Sequence, residues 1–355
     1  MSSATTMKAA QFDENTKEVK INEIPVPQIS DDNQILVKIA SASLCHSDLM
    51  LLEGAFPGPG RPVTLGHEGV GYVQKTGKNV KGFKNGDRIG FLYVTGCCFE
   101  CEGCQIHNLN CENGQARLHG FGEDGFFAEY ALVDYHNAIV LPDSLDMKSS
   151  APIFCAGITA YHAVNECELQ PGQWLAVIGC GGLGLLAIQY AKAMNLRVVG
   201  IDVNDAVLAA ASAAGAEHTY NSMKDKSYVD ELKKATGGGA HAAAVFSAAK
   251  PAYDGAPDVL RMNGLIMAIG LMSRPLEINS IAFMRGLFRI KSTATGPPHK
   301  MPAAVKFTAE HGIKTNVAYY KLEDIQEMIE LMRSGQSKGR MAVVFGEEEG
   351  AKSNL

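Results

Sequence analysis

The pattern of apolar and polar positions along the chain changes near Gln173. Before this residue, short apolar runs rich in β-branched residues are separated by glycine-containing turns such as 84–87, which is typical of strands joined by tight turns. After it, short apolar runs alternate with longer stretches of helical periodicity. The strands predicted in the first part are 35–39, 69–73, 88–92 and 128–133.

The second part of the chain predicts a parallel sheet. Strands that alternate with helices indicate βαβ units, in which helices cover both faces of the sheet. The predicted strands are 174–178, 197–201, 242–246, 265–269 and 288–292, and the predicted helices are 183–194, 205–214 and 228–235. A helix at 322–334 and a strand at 340–345 are expected to return to the first domain. We therefore predict an α/β protein with a compact β-barrel-like domain and a doubly wound parallel-sheet domain.

Composition and charge narrow the class of protein. The 355 residues are 46% hydrophobic and 20% charged, which allows about two domains and excludes disorder along the whole chain. A formal net charge of −6, without a basic run, gives no electrostatic footprint for nucleic acid or a membrane surface. The charge-free stretch 173–191 is as long as a membrane span, but its closely spaced glycines favour a strand, a turn and a helix. We expect the partner to be a small molecule.

A glycine-rich turn joins the first predicted strand and helix of the second part. Residues 179–184, Gly-Cys-Gly-Gly-Leu-Gly, fit the G-x-G-x-x-G pattern, and Asp202 ends the next strand. In that context the backbone can approach a pyrophosphate at a helix N-terminus, and the acid can accept hydrogen bonds from the adenosine ribose. The predicted cofactor-binding residues here are Gly179, Gly181, Gly182, Leu183, Gly184 and Asp202. The alternative is a purely structural turn.

Cofactor preference follows from the charge at this turn. Asp202 would repel the 2′-phosphate of NADP, and no arginine or lysine follows at 203–210. The sequence therefore favours NAD over NADP.

Five of the nine cysteines lie between Cys97 and Cys111. An odd number of cysteines in a chain without an apolar secretory leader indicates metal binding or catalysis rather than a disulfide scaffold. Four thiolates in one loop predict a closed structural zinc site, with Cys97 as a competing ligand and His107 as a weaker one. The alternative is a group of unligated buried cysteines. The predicted ligands are Cys98, Cys101, Cys104 and Cys111.

A second group of possible metal ligands is dispersed along the chain. Cys45, His67 and Cys155 would together form a recognised catalytic zinc set, with two sulfurs, one imidazole and an open fourth position. Spacing alone does not show that they converge, because a single cysteine is more often a packed residue than a ligand.

Taken together, these motifs resemble those of the zinc-dependent medium-chain alcohol dehydrogenases, in particular the yeast-type tetrameric enzymes. The resemblance runs almost end to end and rests on residues 45–48, 66–69, 152–159 and 339–340, on the cysteine-rich segment and on the glycine turn with its acid. It implies a GroES-like catalytic domain formed by 1–153 and 295–355, with the structural zinc lobe at 97–111. It further implies that 154–294 form an NAD-binding Rossmann domain.

The same resemblance implies roles for individual side chains. The implied ligands of a catalytic Zn²⁺ are Cys45, His67 and Cys155. Together with the lobe this gives two zinc ions per chain. Glu68 is implied to be a transient ligand, Ser47 to pass the substrate proton, and His46 and Arg340 to contact the cofactor pyrophosphate.

Two departures from the family pattern matter. Cys104 and Cys111 enclose one residue fewer than the family lobe usually does, which leaves the choice between Cys97 and Cys98 as a ligand open. Relatives often carry a histidine three residues after the Ser47 position, whereas this chain has Met50, whose thioether cannot accept a proton at neutral pH. Either another base or water completes the proton relay, or the enzyme works mainly as a carbonyl reductase.

The leading functional hypothesis is an NAD-dependent, zinc-containing oxidoreductase for primary alcohols, including allylic and aromatic ones. An aldehyde reductase or dehydrogenase of a specialised pathway is the alternative, and a catalytically silent binding or scaffold relative is a third. Phe56 and Tyr93 stand where yeast-type enzymes often carry tryptophan, and Leu271 is expected near the nicotinamide. Smaller aromatic side chains would leave room for a substrate larger than ethanol, unless they only fill loop packing.

Assembly and location are expectations of the same kind. The resemblance implies a homo-oligomer, either a tetramer or a dimer. The first eight residues lack the apolar core of a secretory leader, so the expected location is the cytoplasm. The end of the chain, Ser353-Asn354-Leu355, differs at one position from a peroxisomal address, which makes the peroxisome the alternative.

Overall fold

The computed structural model describes residues 5–55, 58–114, 116–337 and 339–346. The chain divides into two compact units. The first unit takes the chain as far as Cys155, the segment Gly296–Ala309 and the chain from Thr315 onward. The second unit takes Ala156–Thr295 and Glu310–Lys314. Segments from both halves of the chain therefore build the first unit.

Strands dominate the first unit, whereas strands and helices alternate in the second. Among the described residues the strands are β1 Thr6–Asp13, β2 Glu18–Pro25, β3 Gln34–Leu44, β4 Val63–Thr64, β5 Glu68–Thr76, β6 Arg88–Phe91, β7 Val94–Thr95, β8 Arg117–Leu118, β9 Tyr130–Asp134, β10 Ala138–Val140, β11 Trp174–Ile178, β12 Arg197–Asp202, β13 His218–Asn221, β14 Ala240–Val245, β15 Leu260–Ala268, β16 Phe288–Ser292, β17 Val317–Tyr320 and β18 Arg340–Val344. The α-helices are α1 His46–Leu52, α2 Glu102–Ile106, α3 Ala156–Asn165, α4 Gly182–Ala193, α5 Asp205–Ala213, α6 Tyr228–Thr236, α7 Lys250–Asp254, α8 Ser280–Met284, α9 Met301–Glu310 and α10 Ile325–Arg333.

The first unit is built around a seven-stranded sheet in the order β10-β6-β5-β3-β18-β17, with β9 also paired to β3. A smaller sheet has the order β2-β1-β4. Alternate apolar side chains of β3, such as Ile35 and Val37, are buried in the core together with Phe91 and Phe126. β18 pairs antiparallel with β3, so the last described strand completes this sheet. Ser43 of β3 lies opposite Glu68 of β5. Because the strands are antiparallel, this register places the residues just after β3 beside the residues just before β5.

The second unit contains six parallel strands in the order β13-β12-β11-β14-β15-β16. Every residue of β11 is buried, as expected for a central parallel strand with both faces covered. The strand order reverses between β11 and β14, and in such sheets a ligand binds beyond the carboxyl ends of the strands at this point. The predicted α/β class with a doubly wound parallel sheet is confirmed.

The helices next to this sheet begin and end at residues suited to those places. Asn204 precedes α5, and its side-chain oxygen accepts hydrogen bonds from the backbone N–H groups of Ala206 and Val207. Helix α6 ends at Gly237, whose φ of 68° is left-handed and therefore favours glycine. The loop that follows β12 and the loop that precedes β14 thus have residues suited to their conformations.

Some elements differ from the sequence-based expectation. The hairpin β1–β2 was not predicted, and no residue of β2 is buried, so this strand has no buried apolar run to mark it. Helix α3 was also missed, because it is buried on all sides except at Asn165 and lacks amphipathic periodicity. The predicted helix 322–334 begins as a 3₁₀ turn at Leu322–Asp324. No helix in the described part of the chain is long and apolar enough to cross a bilayer.

Candidate active site

Four side chains, three of them buried and one half-buried, lie together where β3, β5 and the chain around Cys155 meet. One ligand atom each from Cys45, His67, Glu68 and Cys155 lies within 4.8 Å of every other. Cys45 directly follows β3, while His67 and Glu68 stand at the start of the neighbouring strand β5. Cys155 follows a 3₁₀ turn at Ala151–Phe154. The structure therefore brings the three dispersed ligand candidates together in the first unit.

Asp48 orients two members of this group. Its Oδ2 accepts a hydrogen bond of 2.8 Å from the backbone N–H of Cys45, and its Oδ1 lies 2.9 Å from His67 Nδ1. When Nδ1–H donates to the carboxylate, Nε2 is left with its lone pair free. His67 Nε2 is buried and has no hydrogen-bond partner among the described residues. An imidazole fixed in this way beside two thiols fits a metal ion.

Asp48 lies within the segment 45–48, and the sequence alone assigns it no role. The signal in the sequence is an acid three residues after a candidate cysteine ligand. The structure shows that this acid lies in the first turn of α1 and is completely buried. Carboxylates that hold a histidine ligand in one tautomer are a regular part of metal sites.

Hydrogen bonds and nearby charges shift the pKa values of the ligand residues in different directions. A hydrogen bond from Cys155, with the positive charge of Arg340, lowers the pKa of Cys45 well below its usual value despite burial. The same hydrogen bond raises the pKa of Cys155. Burial alone would lower the pKa of His67, but the charge and hydrogen bond of Asp48 outweigh it and raise that pKa. A metal ion would replace these protons, because metals bind thiolate sulfur and neutral imidazole.

Glu68 is hydrogen-bonded to Arg340 and Ser43. Its Oε2 accepts hydrogen bonds from Arg340 Nη2 and Ser43 Oγ. Burial raises the pKa of Glu68 to about 7, and the charge of Arg340 opposes that rise. The second oxygen, Oε1, is buried and has no partner among the described residues. The guanidinium of Arg340, predicted to contact the cofactor, is thus paired with Glu68, and its contact with the cofactor stays a prediction.

The predicted proton-relay residues lie on α1. Ser47 is half-buried, and its Oγ is 4.0 Å from Cys45 Sγ. His46 is exposed. Met50 is half-buried three residues after Ser47, and residues spaced by three on a helix are neighbours on one face. The position three residues after Ser47 on α1 therefore carries a thioether rather than an imidazole.

Aromatic rings pack against His67. The ring of Tyr93 meets it edge-on at 5.3 Å between centroids, and Phe121 lies at 5.2 Å. Phe121 was not predicted, since nothing in its local pattern distinguishes it from a core residue. Leu271, in the second unit, is 65% exposed. Phe56, the remaining predicted pocket residue, lies outside the described residues.

The cysteine lobe forms a second ligand group. The four sulfur atoms of this group all lie within 4.8 Å of one another, and they belong to Cys98, Cys101, Cys104 and Cys111. Cys101 caps α2, and its sulfur accepts hydrogen bonds from the backbone N–H groups of Cys104 at 3.4 Å and Glu112 at 3.3 Å. A Cβ added at Gly103 would lie 1.8 Å from the carbonyl oxygen of Asn110, so the tight loop needs glycine there. The shorter spacing still closes around four sulfurs.

The two competing ligands of the lobe are engaged elsewhere. Cys97 Sγ lies 3.3 Å from the carbonyl oxygen of Asn108, and burial raises the pKa of this thiol to about 12. His107 Nδ1 accepts a hydrogen bond of 3.2 Å from the backbone N–H of Leu109. The geometry therefore favours Cys98 over Cys97 as the first ligand.

The glycine turn connects β11 to α4 in the second unit. Gly179 has a φ of 87°, and a Cβ at Gly184 would lie 2.2 Å from the Gly179 carbonyl oxygen. Gly181 precedes α4, and a Cβ there would meet nothing within 4 Å, which leaves room for a ligand at the helix N-terminus. Leu183 is half-buried in the first turn of the helix.

Asp202 ties this turn to the end of β12. Its Oδ2 accepts a hydrogen bond of 2.8 Å from the backbone N–H of Cys180. Its Oδ1 accepts two more from the backbone N–H groups of Val203, at 2.8 Å, and Asn204, at 3.0 Å. A carboxylate offers about four acceptor positions, so one remains for a ribose hydroxyl.

Comparisons with known proteins bear on both units. Residues 31–143 match the family model of the alcohol dehydrogenase GroES-like domain, and residues 182–310 match that of the zinc-binding dehydrogenases. An alcohol dehydrogenase of Geobacillus stearothermophilus is 34% identical over 353 residues, covering 96% of this chain and 100% of that protein.

Solved structures agree with these matches. The alcohol dehydrogenase of Aeropyrum pernix is 28% identical with a TM-score of 0.85, covering 95% of this chain and 100% of that one. Acetophenone reductase of Geotrichum candidum, solved in complex with NAD, is 25% identical with a TM-score of 0.84, covering 97% and 99%. Likeness of this extent in sequence and in fold confirms the resemblance, and the chain belongs to the zinc-dependent medium-chain alcohol dehydrogenases, a family of alcohol oxidoreductases.

Proposed function

We propose that this alcohol dehydrogenase transfers a hydride between NAD and a primary alcohol, including allylic and aromatic alcohols, giving the aldehyde. The observation that carries the proposal is the buried convergence of Cys45, His67 and Cys155 around an imidazole nitrogen without a partner among the described residues. An acetophenone reductase is, by its name, a reductase of an aromatic carbonyl compound. Its likeness to this chain supports an aromatic substrate.

Zinc is the metal that the donor sets fit. Two thiols and one imidazole with room for a fourth ligand are typical of a catalytic site, and four cysteines are typical of a structural one. We therefore propose two zinc ions per chain, one in each ligand group. Zinc held by the mixed group supplies a Lewis acid that lowers the pKa of an alcohol hydroxyl.

The chain itself has to carry the proton away. The Ser47 hydroxyl both accepts and donates a hydrogen bond, and it lies beside Cys45, so we assign the first transfer to it. Met50 cannot take the proton further. His46, exposed on the same helix, is the first candidate for a terminal base, and bulk water is the other. A relay without a buried base favours aldehyde reduction as the second candidate function.

The glycine turn supports NAD as the cofactor. The open space at Gly181 and the start of α4 suit a pyrophosphate, and Asp202 presents a carboxylate where the ribose of a dinucleotide is held in such sheets. That negative charge opposes a 2′-phosphate.

Assembly and location rest on sequence alone. We propose a homo-oligomer, tetrameric or dimeric, in the cytoplasm, with the peroxisome as the alternative. Residues 353–355, which carry that alternative, lie outside the described residues.

A substrate panel tests the proposal. Primary, allylic, aromatic and secondary alcohols, with the matching carbonyl compounds, would be assayed with NAD(H) and NADP(H) by nicotinamide absorbance. We expect turnover of primary and aromatic alcohols with NAD and little with NADP. Equal use of NADP, or turnover of no alcohol or aldehyde, would contradict the proposal.

A further inference from the structure

A lysine from the turn after β13 reaches the start of α5, the helix that follows β12. Asp202 and Asn221 are register partners at the carboxyl ends of β12 and β13. The Asn221 side-chain oxygen accepts hydrogen bonds from the backbone N–H groups of Met223 and Lys224, both at 3.2 Å, and so turns the chain back toward β12. Lys224 Nζ then donates to Asp205 Oδ2. The stretch 203–210 contains no lysine or arginine, but the fold brings the ammonium of Lys224 into contact with Asp205 of this stretch.

Asp205 is the residue that holds this lysine. Its other oxygen, Oδ1, accepts a hydrogen bond of 2.5 Å from Asn221 Nδ2. The hydrogen bond from Lys224 lowers the pKa of Asp205, so the carboxylate is ionised at neutral pH. The oxygens of Asp202 are instead engaged by three backbone N–H groups. Lys224 is therefore neutralised by an acid that takes no part in fixing the glycine turn.

We propose that Asp205 is a second determinant of cofactor preference, because it ties up Lys224, which would otherwise bind the 2′-phosphate of NADP. The inference rests on the proposal that the glycine turn binds NAD. Asp202, Asp205 and Lys224 together leave one net negative charge at the end of β12. A 2′-phosphate adds about −1.5 to −2 at neutral pH, so the intact group disfavours it. Without Asp205 the group is neutral and its ammonium is free.

Two half-cofactor ligands separate this effect from catalysis. Adenosine 2′,5′-bisphosphate carries the 2′-phosphate of NADP, and 5′-AMP lacks it, so the ratio of their dissociation constants measures the preference at the ribose. The ratio would be measured by titration calorimetry at low and high salt on zinc-loaded protein. The melting temperature of each variant would first be compared with that of the unmodified protein. In Asp205→Asn we expect the bisphosphate to gain about tenfold relative to 5′-AMP, and we expect salt to reduce that gain.

Double variants identify the cation. Asp205→Asn/Lys224→Gln should lose most of the gain, whereas Asp205→Asn/Lys226→Gln, which removes another exposed lysine two residues further on, should keep it. If Asp205→Asn folds poorly, Asp205→Ser replaces it, because serine is well tolerated where a helix begins.

The outcomes distinguish this inference from the function on which it rests. An unchanged ratio in Asp205→Asn, or an equal loss from both lysine substitutions, would overturn the role of Asp205 and Lys224 alone. Failure of the unmodified protein to bind either 5′-AMP or NAD would instead overturn the NAD proposal.

Discussion

The two ligand groups of the first unit share sulfur chemistry but differ in how the chain assembles them. The lobe takes its four cysteines from one loop, and backbone N–H groups point at the sulfur of Cys101. The catalytic group combines residues from separate parts of the sequence, buries nearly all of them and adds a carboxylate, an arginine and an orienting aspartate.

This difference indicates a division of tasks. A local set of four identical donors satisfies a tetrahedral ion and leaves no position for a substrate. A set drawn from two strands and a 3₁₀ turn is held by the fold, so its fourth position can stay available without loss of structure. We therefore expect the two groups to respond differently to loss of one ligand.

The largest expected effect is on activity, from Cys155→Ser. This variant should lose the catalytic zinc and at least about a thousandfold in kcat/KM, because a Lewis acid contributes several kcal/mol to the transition state. Elemental analysis should find one zinc per chain instead of two, and the melting temperature should change little. Retention of both zinc ions would show that Cys155 is not a ligand.

Cys101→Ser should act on stability. A structural zinc contributes folding free energy, so we expect the melting temperature to fall by more than about 5 °C on thermal unfolding followed by circular dichroism.

Cys97→Ser is the matched control within the same lobe. Its sulfur lies outside the ligand group, so zinc content and melting temperature should stay close to those of the unmodified protein. If Cys97→Ser and Cys101→Ser were equally destabilised, the assignment of ligands in the lobe would be wrong.

A smaller effect is expected when the residue that hydrogen-bonds to a ligand is replaced. Asp48→Asn should lower the zinc affinity of the catalytic group about 10–100-fold, because His67 loses a charged hydrogen-bond acceptor. The zinc affinity of the lobe should not change. Competition with a chromogenic chelator, which resolves a weak and a tight site, would measure this. Equal weakening of both sites would mean that Asp48 acts through the general fold.

The smallest effect is expected outside both ligand groups. Met50→His should raise kcat/KM for alcohol oxidation by a few-fold near neutral pH. The increase should be much smaller at alkaline pH, where hydroxide accepts the proton. General-base help is worth about 10²–10⁴-fold when fully used, and a terminal position in contact with water uses little of it.

The pH profile of kcat/KM, with Met50→Gln as a non-titrating control, checks this expectation. A profile that is the same in Met50→His and the control would indicate that another group, with His46 as the first candidate, already completes the relay.

The same comparison explains what the sequence could predict. The lobe was predictable because its ligands are near neighbours, and the parallel sheet because its strands alternate with amphipathic helices. Convergence of Cys45 with Cys155 depends on the pairing of β3 with β5 and on the placement of a distant turn, and spacing does not encode either. The resemblance to a family supplied that step.

Other features depend on tertiary structure alone. The orienting role of Asp48 follows from a hydrogen bond to a residue in another strand. Lys224 reaches Asp205 only because β13 lies beside β12. Helix α3 is buried on almost every side and so has no polar face to reveal its period.

The sequence separation of the ligands has a consequence for biogenesis. Every sulfur of the lobe has been synthesised once Cys111 is added, so the lobe is able to capture its ion from a nascent chain. The catalytic group needs Cys155, and the arginine that pairs with its glutamate comes from β18, which is synthesised long after the lobe. Domains fold as units while contacts across long sequence separations form slowly. If both groups bind zinc, we therefore expect metallation in two stages, and a chain truncated before β18 should bind zinc in the lobe but not in the catalytic group.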